Sequence, residues 1–582
     1  MLNTKHLLFL LSLSMITLSS MAQVESGKDK DYAAYPHWQD MMLDHSISFF
    51  ETQKAFNTYW ENRTPARGTG YKVFKRWEYL WETLVTPDGK FPEPGHVYNE
   101  YSRYAKEHPV SGRMKSGTAV WQELGPKTRQ NYGGYVGVGR INAIAFHPTD
   151  PETIFVGAPS GGFWYTHNGG ASWATSTDTL PTLGVSAILV HPDDPNAILI
   201  GTGDDDGGDD QGLGVFKSQD GGLSWEQSNE GMGNVTVNVF AHHDTEPGIL
   251  LAGTKNSGIY KTEDFGENWT KTNAPDRHFR NLVYKPGDMS VVYASENGFW
   301  RSIDSGENWT QIGSDEGLTS TGRMVIDVTK ANDSLVYILV GGGPFRGLFQ
   351  SRDFGQTFTE MSDSPNILGY ANDGSDDSSQ AGFDLILHAD PDNQNVIHAG
   401  GINLWKCTNG GTSWTITGHW TGSGTNAVHA DQHHFAHNPL NDRIYVGNDG
   451  GVYWTANNAT TWSEISEGLG IGQMYKIGVA QTNSNKVVAG FQDNGSATLM
   501  GNTWLSTGGG DGMECAVDPV DDAWSYTTLY YGDITRRYNN TNGRRVAGED
   551  TYGMTESGAW VTPFCVAEND PNIMIVGMKN LW

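Results

Sequence analysis

The chain is poor in basic residues and in cysteine. Its 582 residues include 38 Lys and Arg against 67 Asp and Glu, a net charge of -29, which argues against binding to nucleic acid or to an anionic membrane surface. The three cysteines are an odd number, so at least one thiol stays free even in an oxidising compartment. Aromatic residues make up 11% and glycines number 73, which excludes a disordered chain and favours turn-rich β structure.

Long apolar runs are missing after the N-terminus. Lys5 and His6 precede an apolar run at residues 7–20, and Ser20 and Ala22 are the small residues that a signal peptidase reads. The run is shorter than the roughly 20 residues that span a bilayer. We therefore predict a signal peptide at residues 1–22, cleaved after Ala22, no transmembrane segment, and an exported protein that works outside the cell or at its surface.

Residues 23–117 differ in pattern from the rest of the chain. Apolar residues recur at spacings of three and four, and glycine is rare. This pattern predicts two or three amphipathic helices, a break at the Pro- and Gly-rich residues 87–95, one further short helix, and a linker near residues 111–117. We expect this segment to be a helical cap without chemistry.

From Trp121 onward the sequence repeats with a period of about 40 to 56 residues, within the range of propeller blades. Six copies of a short box begin with Ser, Thr or Cys, carry Asp or Asn two residues later, and end in Trp or Phe; a decayed copy lies at residues 455–462. We predict that each box is a hairpin turn in which the hydroxyl and the carboxylate or amide accept hydrogen bonds from turn amides and Trp anchors the turn. The structural residues of these boxes are Asn168, Trp173, Asp220, Trp225, Asp264, Trp269, Asp304, Trp309, Asp353, Asn409 and Trp414.

Ten repeat units can be counted, each opening with an apolar strand, a polar turn and a second apolar strand that ends in Gly. They start near Ile141, Val185, Val237, Leu282, Met324, Phe383, Asp431, Tyr475, Gly512 and Phe564. The prediction is an all-β propeller domain at residues 118–582, with about ten four-stranded blades and a last blade that stops short. Residues 118–126 look like an outermost strand that could complete the last blade and close the ring.

Cys515 and Cys565 fall at nearly the same place in successive units. We expect both on innermost strands, buried as apolar groups and not joined by a disulfide.

If the strands of a blade run A to D outward, the A–B and C–D turns share one face and the B–C and D–A loops share the other. The first set is regular and repeated, and the second is long and varied, as functional loops are. Two acidic loops of the second set are candidate calcium sites, although neither has the spacing of a standard calcium loop and a solvated loop is the alternative. Their candidate ligands are Asp204, Asp205, Asp206, Asp209, Asp373 and Asp376.

A second group of polar residues maps to the mouth of the channel. Its candidate ligand-binding residues are Arg140, His429, Asp431, His433, Asp449, Asp493 and Asp511. Four of them are also the candidate catalytic acids, namely Asp431, Asp449, Asp493 and Asp511. Carboxylates with His at a propeller mouth suit an acid–base pair, a metal site or a polar binding rim, and such residues at strand ends also commonly satisfy loop amides.

The repeated box resembles the Asp-box of sialidase-type and sortilin-type propellers. The GxPSGGxW, HADQH, GNDGGV, QDNG and GGDG elements look like the version found in exported Bacteroidetes proteins, which often carry a C-terminal signal for type IX secretion that this chain does not show. The resemblance implies a ten-bladed sortilin-like ring. The alternative it implies is two tandem seven-bladed propellers, truncated, as in xyloglucan-specific endoglucanases.

The same resemblance bears on catalysis. In the xyloglucanase-like family the B–C loop of the first blade carries a catalytic Asp, and here Pro159 stands at that position. A sialidase would need an arginine cluster, and these loops are acidic. We therefore expect a monomeric, non-catalytic propeller that binds a glycan or an extracellular protein; the alternative is a glycoside hydrolase acting on a β-glucan-type polysaccharide.

Overall fold

The computed structural model describes residues 32–33, 36–65, 68–108, 123–129, 136–242 and 245–582. The signal peptide expected at residues 1–22 lies outside this part of the chain. The chain forms two compact units: the residues up to Pro65 together with Leu84–Phe91, and Ala66–Thr83 together with Pro92–Trp582. No helix in the described ranges is long and apolar enough to cross a bilayer.

Helices form where the three-and-four spacing predicts them. The first unit contains α1 (Trp38–Met41) and α2 (Phe49–Trp60), held together by an edge-on contact of Trp38 with Phe56 at 5.1 Å. The second unit contains α3 (Tyr71–Trp81) and α4 (His96–Glu107). One face of α3 buries an apolar stripe, whereas α4 buries none of its residues. Helix α3 is therefore the one that packs firmly within the second unit.

The rest of the second unit is ten antiparallel sheets. Sheet 1 is β1 to β4 (Ala143–Phe146, Ile154–Ala158, Gly162–Thr166, Ala174–Thr175), and sheet 2 is β5 to β8 (Val185–Val190, Ile198–Thr202, Val215–Ser218, Glu226–Gln227). Sheet 3 is β9 to β12 (Val237–His242, Leu250–Thr254, Ile259–Thr262, Thr270–Lys271), and sheet 4 is β13 to β16 (Asn281–Lys285, Asp288–Ser295, Phe299–Ser302, Thr310–Ile312). Sheet 5 is β17 to β20 (Arg323–Val328, Val336–Gly341, Phe345–Ser351, Thr359–Ser362).

Sheet 6 has a fifth strand, β25, paired in parallel with β24. It contains β21 to β25 (Ile386–Ala389, Ile397–Gly400, Leu404–Cys407, Thr415–His419, Asn426–Ala427), and sheet 7 contains β26 to β29 (Gln432–Asn438, Arg443–Asn448, Gly451–Thr455, Ser463–Glu464). Sheet 8 is β30 to β33 (Met474–Val479, Lys486–Phe491, Gly495–Met500, Thr503–Gly508), and sheet 9 is β34 to β37 (Cys515–Val517, Trp524–Leu529, Asp533–Tyr538, Thr541–Ala547). Sheet 10 pairs only β38 (Phe564–Val566) with β39 (Met574–Val576). Single 3₁₀ turns lie at Ser314–Glu316 and Tyr530–Gly532.

The multi-bladed propeller and the ten-unit count are confirmed, but the first seven sheets close a ring by themselves. Each innermost strand packs against the next from β1 to β26, and β26 packs back against β1. The backbone N–H of Ile141 donates to Asn448 O at 3.1 Å across this joint. Sheets 8 to 10 begin a separate arc, in which β30 packs on β34. The single ten-bladed ring is therefore wrong: the structure has a closed ring of seven sheets, as the tandem alternative implies for its first propeller, followed by three sheets of a second arc.

The sequence period cannot separate these arrangements, because a blade looks the same in either and ring size depends on the angle between adjacent sheets. The segment expected to close the ring also has another role. Residues 123–129 contain no strand, and Leu124 O accepts the indole N–H of Trp504 at 2.6 Å while Lys127 O accepts the Gly468 amide at 2.8 Å. This segment therefore links sheets 7 and 8; residues 118–122 lie outside the described ranges.

The box turns have the predicted hydrogen bonds. In the second sheet the Ser218 hydroxyl accepts the Gly222 amide at 2.8 Å and donates to Asp220, which accepts the Ser224 amide at 2.9 Å. In the sixth sheet the Cys407 thiol replaces the hydroxyl and accepts the Gly411 amide at 2.9 Å. The local residue pattern therefore determines these turns.

The box tryptophans also join neighbouring blades. Trp269 donates its indole N–H to Ser228 O of the preceding sheet at 2.9 Å. Trp173 of sheet 1 makes the same bond to Ile465 O of sheet 7, also at 2.9 Å. Sheet 1 is therefore bonded to sheet 7 in the same way as sheet 3 is bonded to sheet 2. The outer edges of the sheets thus also show that the ring closes between sheets 7 and 1.

Cysteine burial is predicted correctly at one position and wrongly at another. No cysteine is in a disulfide; Cys407 and Cys515 are buried, and burial raises the pKa of Cys515. Cys565 does lie on an innermost strand but is exposed. In the described chain, sheet 10 has two strands and no following sheet packs on it, so the face that would bury Cys565 is uncovered.

Replacing Trp173 by Phe tests the ring closure. We expect the change to lower the free energy of unfolding by about 1 kcal/mol, because one buried indole hydrogen bond between sheets 1 and 7 is lost. Trp269→Phe, which removes the matching bond between sheets 2 and 3, should cost about the same. Urea unfolding of the two variants measures this, and a Trp173→Phe variant as stable as wild type would contradict closure at sheet 7.

Thiol titration tests the uneven cysteine burial. The native chain should react with an aromatic disulfide reagent at one thiol and the unfolded chain at three, since a buried thiol does not reach the reagent as thiolate. Cys565→Ser should abolish the fast native reaction, and Cys515→Ser should leave it unchanged. Three fast thiols in the native protein would contradict the burial of Cys407 and Cys515.

Candidate functional site

Most of the predicted polar residues meet on one face of the second unit. They lie in B–C loops, such as the β6–β7 and β27–β28 loops, or in the segments that enter β1, β26 and β34. The structure brings Arg140, Asp431, His433, Asp449, Asp493 and Asp511 into one buried network with the acidic β6–β7 loop. The predicted loop face is therefore where these side chains gather, and their role as a functional site stays a prediction.

The acidic β6–β7 loop is buried, and its carboxylates pair with cationic side chains from other sheets. Asp204, which is 0% exposed, accepts the Arg140 guanidinium at 2.9 Å. It also accepts the amides of Gly207 at 3.1 Å and Asp209 at 3.0 Å. Burial disfavours the charged guanidinium, but Asp204 and its acidic neighbours raise the pKa of Arg140 overall. Arg140 and Asp204 thus form a buried ion pair and not a surface rim.

Further ion pairs fix Asp205 and Asp206 of the same loop. Asp205 contacts His278 Nε2 at 2.5 Å and Arg280 Nε at 3.3 Å. Burial lowers the pKa of His278 to about 4. Asp206 pairs with Arg323 at 3.2 Å, and this cation with His433 keeps the pKa of Asp206 low despite burial. Each carboxylate at the start of the loop therefore has a cationic or imidazole partner.

His433 joins two loops of the ring. Its Nδ1 lies 2.8 Å from Asp206 and its Nε2 lies 2.9 Å from Asp449. Burial alone would lower the pKa of His433, but the two carboxylates raise it to about 9. A protonated His433 donates to both, which fixes the β27–β28 loop against the β6–β7 loop.

Asp431, Asp449 and Asp493, hereafter the Asp triad, form the most crowded part of the network. One carboxylate oxygen from each residue lies within 4.8 Å of the other two. Burial and the neighbouring carboxylates raise the pKa of Asp431 to about 7 and also raise that of Asp449. Asp431 and Asp493 have left-handed backbones, with φ of 63° and 55°. The triad therefore concentrates negative charge that its own protein partners only partly compensate.

Helix α3 supplies the cation for one side of the triad. The Arg76 guanidinium contacts Asp493 and bonds to Asp511 Oδ1 at 2.7 Å. Burial would raise the pKa of Asp493, but Arg76 holds it at about 2. Nearby, Lys72 lies 4.0 Å from the ring centre of Tyr530, and Tyr79 contacts Tyr475 edge-on at 5.7 Å. Helix α3 therefore packs on the propeller sheets, as expected of a cap, and its Arg76 also joins the polar network.

His429 does not join the network as predicted. Its ring is buried against the backbone of Gly450, where a side chain would clash with it, and its Nδ1 lies 3.2 Å from Ala430 O. Its carbonyl accepts the Gln432 amide at 2.6 Å. His429 is thus a packing residue of the loop that enters sheet 7.

Within the described ranges, neither of the two acidic loops brings three or more potential metal ligands together. Among the described residues, the one group of three or more potential metal ligands this close together is the Asp triad. Asp204, Asp205 and Asp206 are occupied by the ion pairs above, Asp209 lies 3.7 Å from Arg140, and burial raises the pKa of Asp209 and of Asp210 to about 6. Asp376 accepts the amides of Tyr370 and Ala371 at 3.0 Å each, and Asp373 is exposed. The carboxylate of Asp376 in the second acidic loop therefore serves to form a turn.

Sequence reasoning missed the residues that neutralise the site. These are Arg76, His278, Arg280 and Arg323, with the buried acid Asp384. Arg280 and Arg323 stand at or next to the start of an innermost strand, as Arg140 does, so the blade position that identified Arg140 could have found them. Nothing in the repeat pattern points to Arg76, because it lies in a helix outside the repeats.

Beneath the network runs the central channel of the seven-sheet ring. A cavity of about 180 Å³ there is lined by the innermost strands of all seven sheets. Representative lining residues are Ile144, Ile188, Val239, Asn281, Val325, Leu387 and Phe435. Asp205, Asp206 and His433 lie at its polar end, so the network closes the channel towards the loop face.

No family model and no curated protein sequence matches this chain. Among solved structures it is similar to an ancestral GH74 enzyme, with a TM-score of 0.59 and 16% identity over 79% of this chain and 68% of that one. It is also similar to the GH74 enzyme of Niastella koreensis (TM-score 0.54, 16% identity, 77% and 71%) and to the GH74 xyloglucanase of Xanthomonas campestris (0.55, 13%, 77% and 73%). At these identities the likeness extends to the multi-bladed propeller fold.

Replacing Arg76 by Met tests the ion pairs of α3. We expect a loss of about 3 to 5 kcal/mol in the free energy of unfolding at pH 7, because Asp493 and Asp511 are left buried without their cation. The pair stabilises above the ordinary Asp pKa near 4 and is lost as the pH falls towards 2, so the difference from wild type should shrink below about pH 4.

Arg103→Met in α4 is the matched control. Arg103 pairs with Glu100 and Glu107 in the open, where its side chain is 61% exposed, so its loss should leave the unfolding midpoint almost unchanged. Urea titrations at pH 7 and pH 3 provide the comparison. Equal effects of the two substitutions would contradict a buried role for Arg76.

Proposed function

We propose that this protein is an exported, non-catalytic propeller that binds a glycan, or an extracellular protein, on its loop face. The observation that carries the proposal is the pairing of Arg76 with Asp493 and Asp511. Helix α3 thereby engages two of the four carboxylates that could serve as catalytic acids in ion pairs with one guanidinium.

The remaining geometry also supports binding over hydrolysis. Glycosidases place two carboxyl groups about 5 to 9.5 Å apart on opposite sides of an open substrate site. Here the closest oxygens of the Asp triad are within 4.8 Å, and the side chains of Asp449 and Asp511 are 2% and 1% exposed. Acids this deeply buried are not on opposite sides of an open substrate site, which supports binding over hydrolysis.

The loop face does offer a surface suited to sugars. Tyr370, in the loop before sheet 6, and Trp420, which follows β24, are half-buried and contact each other edge-on at 6.3 Å. Aromatic faces pack well on the apolar faces of sugar rings, and the acidic network beneath disfavours anionic polymers. A neutral glycan is therefore the ligand class that this surface suits best.

A second function, hydrolysis of a β-glucan-type polysaccharide, is favoured by the fold likeness to GH74 enzymes. Against it stands Pro159, buried after β2, at the position where the xyloglucanase-like family carries its base. The acids that this alternative would use are among Asp431 and Asp449 of sheet 7, Asp493 of sheet 8 and Asp511 before sheet 9. It would also require α3 to leave the carboxylates.

Tests with one panel of neutral plant and microbial polysaccharides distinguish binding from hydrolysis. We expect at least one polymer to retard the native protein in affinity electrophoresis without release of reducing sugar. Trp420→Ala should weaken this retention about tenfold, the effect of losing one aromatic contact of about 1.4 kcal/mol. Tyr538→Ala, at the β36–β37 turn on the opposite face, is the control and should bind as wild type.

A different outcome is that the native protein releases reducing sugar and neither Asp431→Ala nor Asp511→Ala does so. That result would contradict the non-catalytic proposal and identify a hydrolase. Retention that Trp420→Ala and Tyr538→Ala change equally would place the ligand elsewhere than the loop face. Absence of any retention across the panel would contradict the glycan form of the proposal and leave a protein ligand as its remaining form.

A further inference from the structure

The Asp triad carries more negative charge than the protein around it compensates. Asp384 and Asp511 lie beside the triad, which brings five carboxylates together. Arg76 is the permanent cation that contacts them, through Asp493 and Asp511, and His433 contacts Asp449. These five carboxyl groups have Arg76 and His433 as their direct ion-pair partners, while Arg140, Arg323 and Lys72 are also close enough to act on them, and an uncompensated charge in such a buried place is costly.

Two of these acids have oxygens that no donor group contacts. Asp449 is 2% exposed, and its Oδ2 accepts no hydrogen bond from a donor among the described residues, although its Oδ1 binds His433. Asp384 is 0% exposed, neither of its oxygens accepts a hydrogen bond from a donor within the described ranges, and its side chain instead meets the carboxyl group of Asp431. Buried carboxylate oxygens are nearly always hydrogen-bonded or bound to a metal, so these atoms indicate a missing ligand of positive charge.

The spacing and the chemistry of the triad fit calcium. Oxygens that bind one calcium ion at about 2.3 to 2.6 Å lie up to about 5 Å apart, and calcium accepts a site built mainly from protein oxygens, whereas magnesium usually keeps several of its waters. The triad oxygens lie within 4.8 Å of one another, and hard carboxylate oxygens are the ligands that calcium prefers.

We propose that Asp431, Asp449 and Asp493 bind a divalent cation of the size of calcium, with Asp384 and water as further oxygen ligands. This inference is independent of the proposed function, since it concerns the joint between two propeller parts. Asp431 and Asp449 belong to sheet 7, the last sheet of the ring, and Asp493 belongs to the β31–β32 loop of sheet 8. The cation therefore ties the arc of sheets 8 to 10 to the closed ring.

The experiment uses the full chain freed of metal with a chelator and then dialysed. Isothermal titration with calcium chloride should give about one site per chain, and calcium should raise the melting temperature, because the ion binds the native state only. Magnesium at the same ionic strength should produce a clearly smaller rise. Asp431→Asn should weaken calcium binding by at least about tenfold, since one charged ligand is lost.

Asp373→Asn, in the exposed acidic loop, is the matched control and should bind calcium as wild type. Circular dichroism and the melting temperature of the calcium-free Asp431→Asn variant check that it folds; removing one repelling charge should leave that temperature unchanged or raise it. Absence of calcium binding to wild type at about 1 mM, the weak end for extracellular modules, would overturn the proposal and leave protons as the compensating charge. Calcium binding that Asp431→Asn leaves intact would overturn it as well.

Discussion

Packing of β26 against β1 is the contact on which the rest of this structure depends. It closes seven sheets into a ring and leaves three sheets to start a second arc. A blade buries both of its faces only between two neighbours, so each sheet of the ring needs the next one to complete its core. The core cluster at the joint contains Ile141 and Trp173 of the first-sheet region together with Tyr445 and Leu469 of the seventh. Closure is therefore a packing event between residues about 300 positions apart.

Ring closure also creates the polar network. It places the β6–β7 loop of sheet 2 opposite the β27–β28 loop of sheet 7, so that His433 reaches both Asp206 and Asp449. The start of the second arc then adds Asp493 and Asp511 from the other side, and α3 inserts Arg76 between them. The acids repel one another, but folding also brings cationic side chains from distant segments beside them. These cations lower the energetic cost of burying the acids.

Whether each acid has a cationic partner determines which chemical roles it can take. Where an acid has its own cation, as Asp204 has Arg140, it is a structural group and cannot act as a general base. Where a direct cationic partner is lacking within the described ranges, at Asp384 and Asp431, the buried carboxyl groups need protons or a metal ion. Neither condition resembles an open pair of carboxyl groups in a cleft, and this supports the proposal of binding on the surrounding loop surface.

The sequence by itself determined the repeat unit, the box turns and the face on which the polar residues gather, because these depend on local patterns such as Ser218–Asp220 and on strand alternation. It also identified Arg140, Asp431, His433 and Asp449 from their positions within a blade. Only the tertiary structure decided how many blades close a ring, that Cys565 is exposed, that His429 is a packing residue and that Arg76 of α3 neutralises Asp493. The reason is physical: ring size, burial and charge compensation are set by contacts between segments far apart in the chain, and one sequence period does not encode the angle between sheets or the partner of a buried charge.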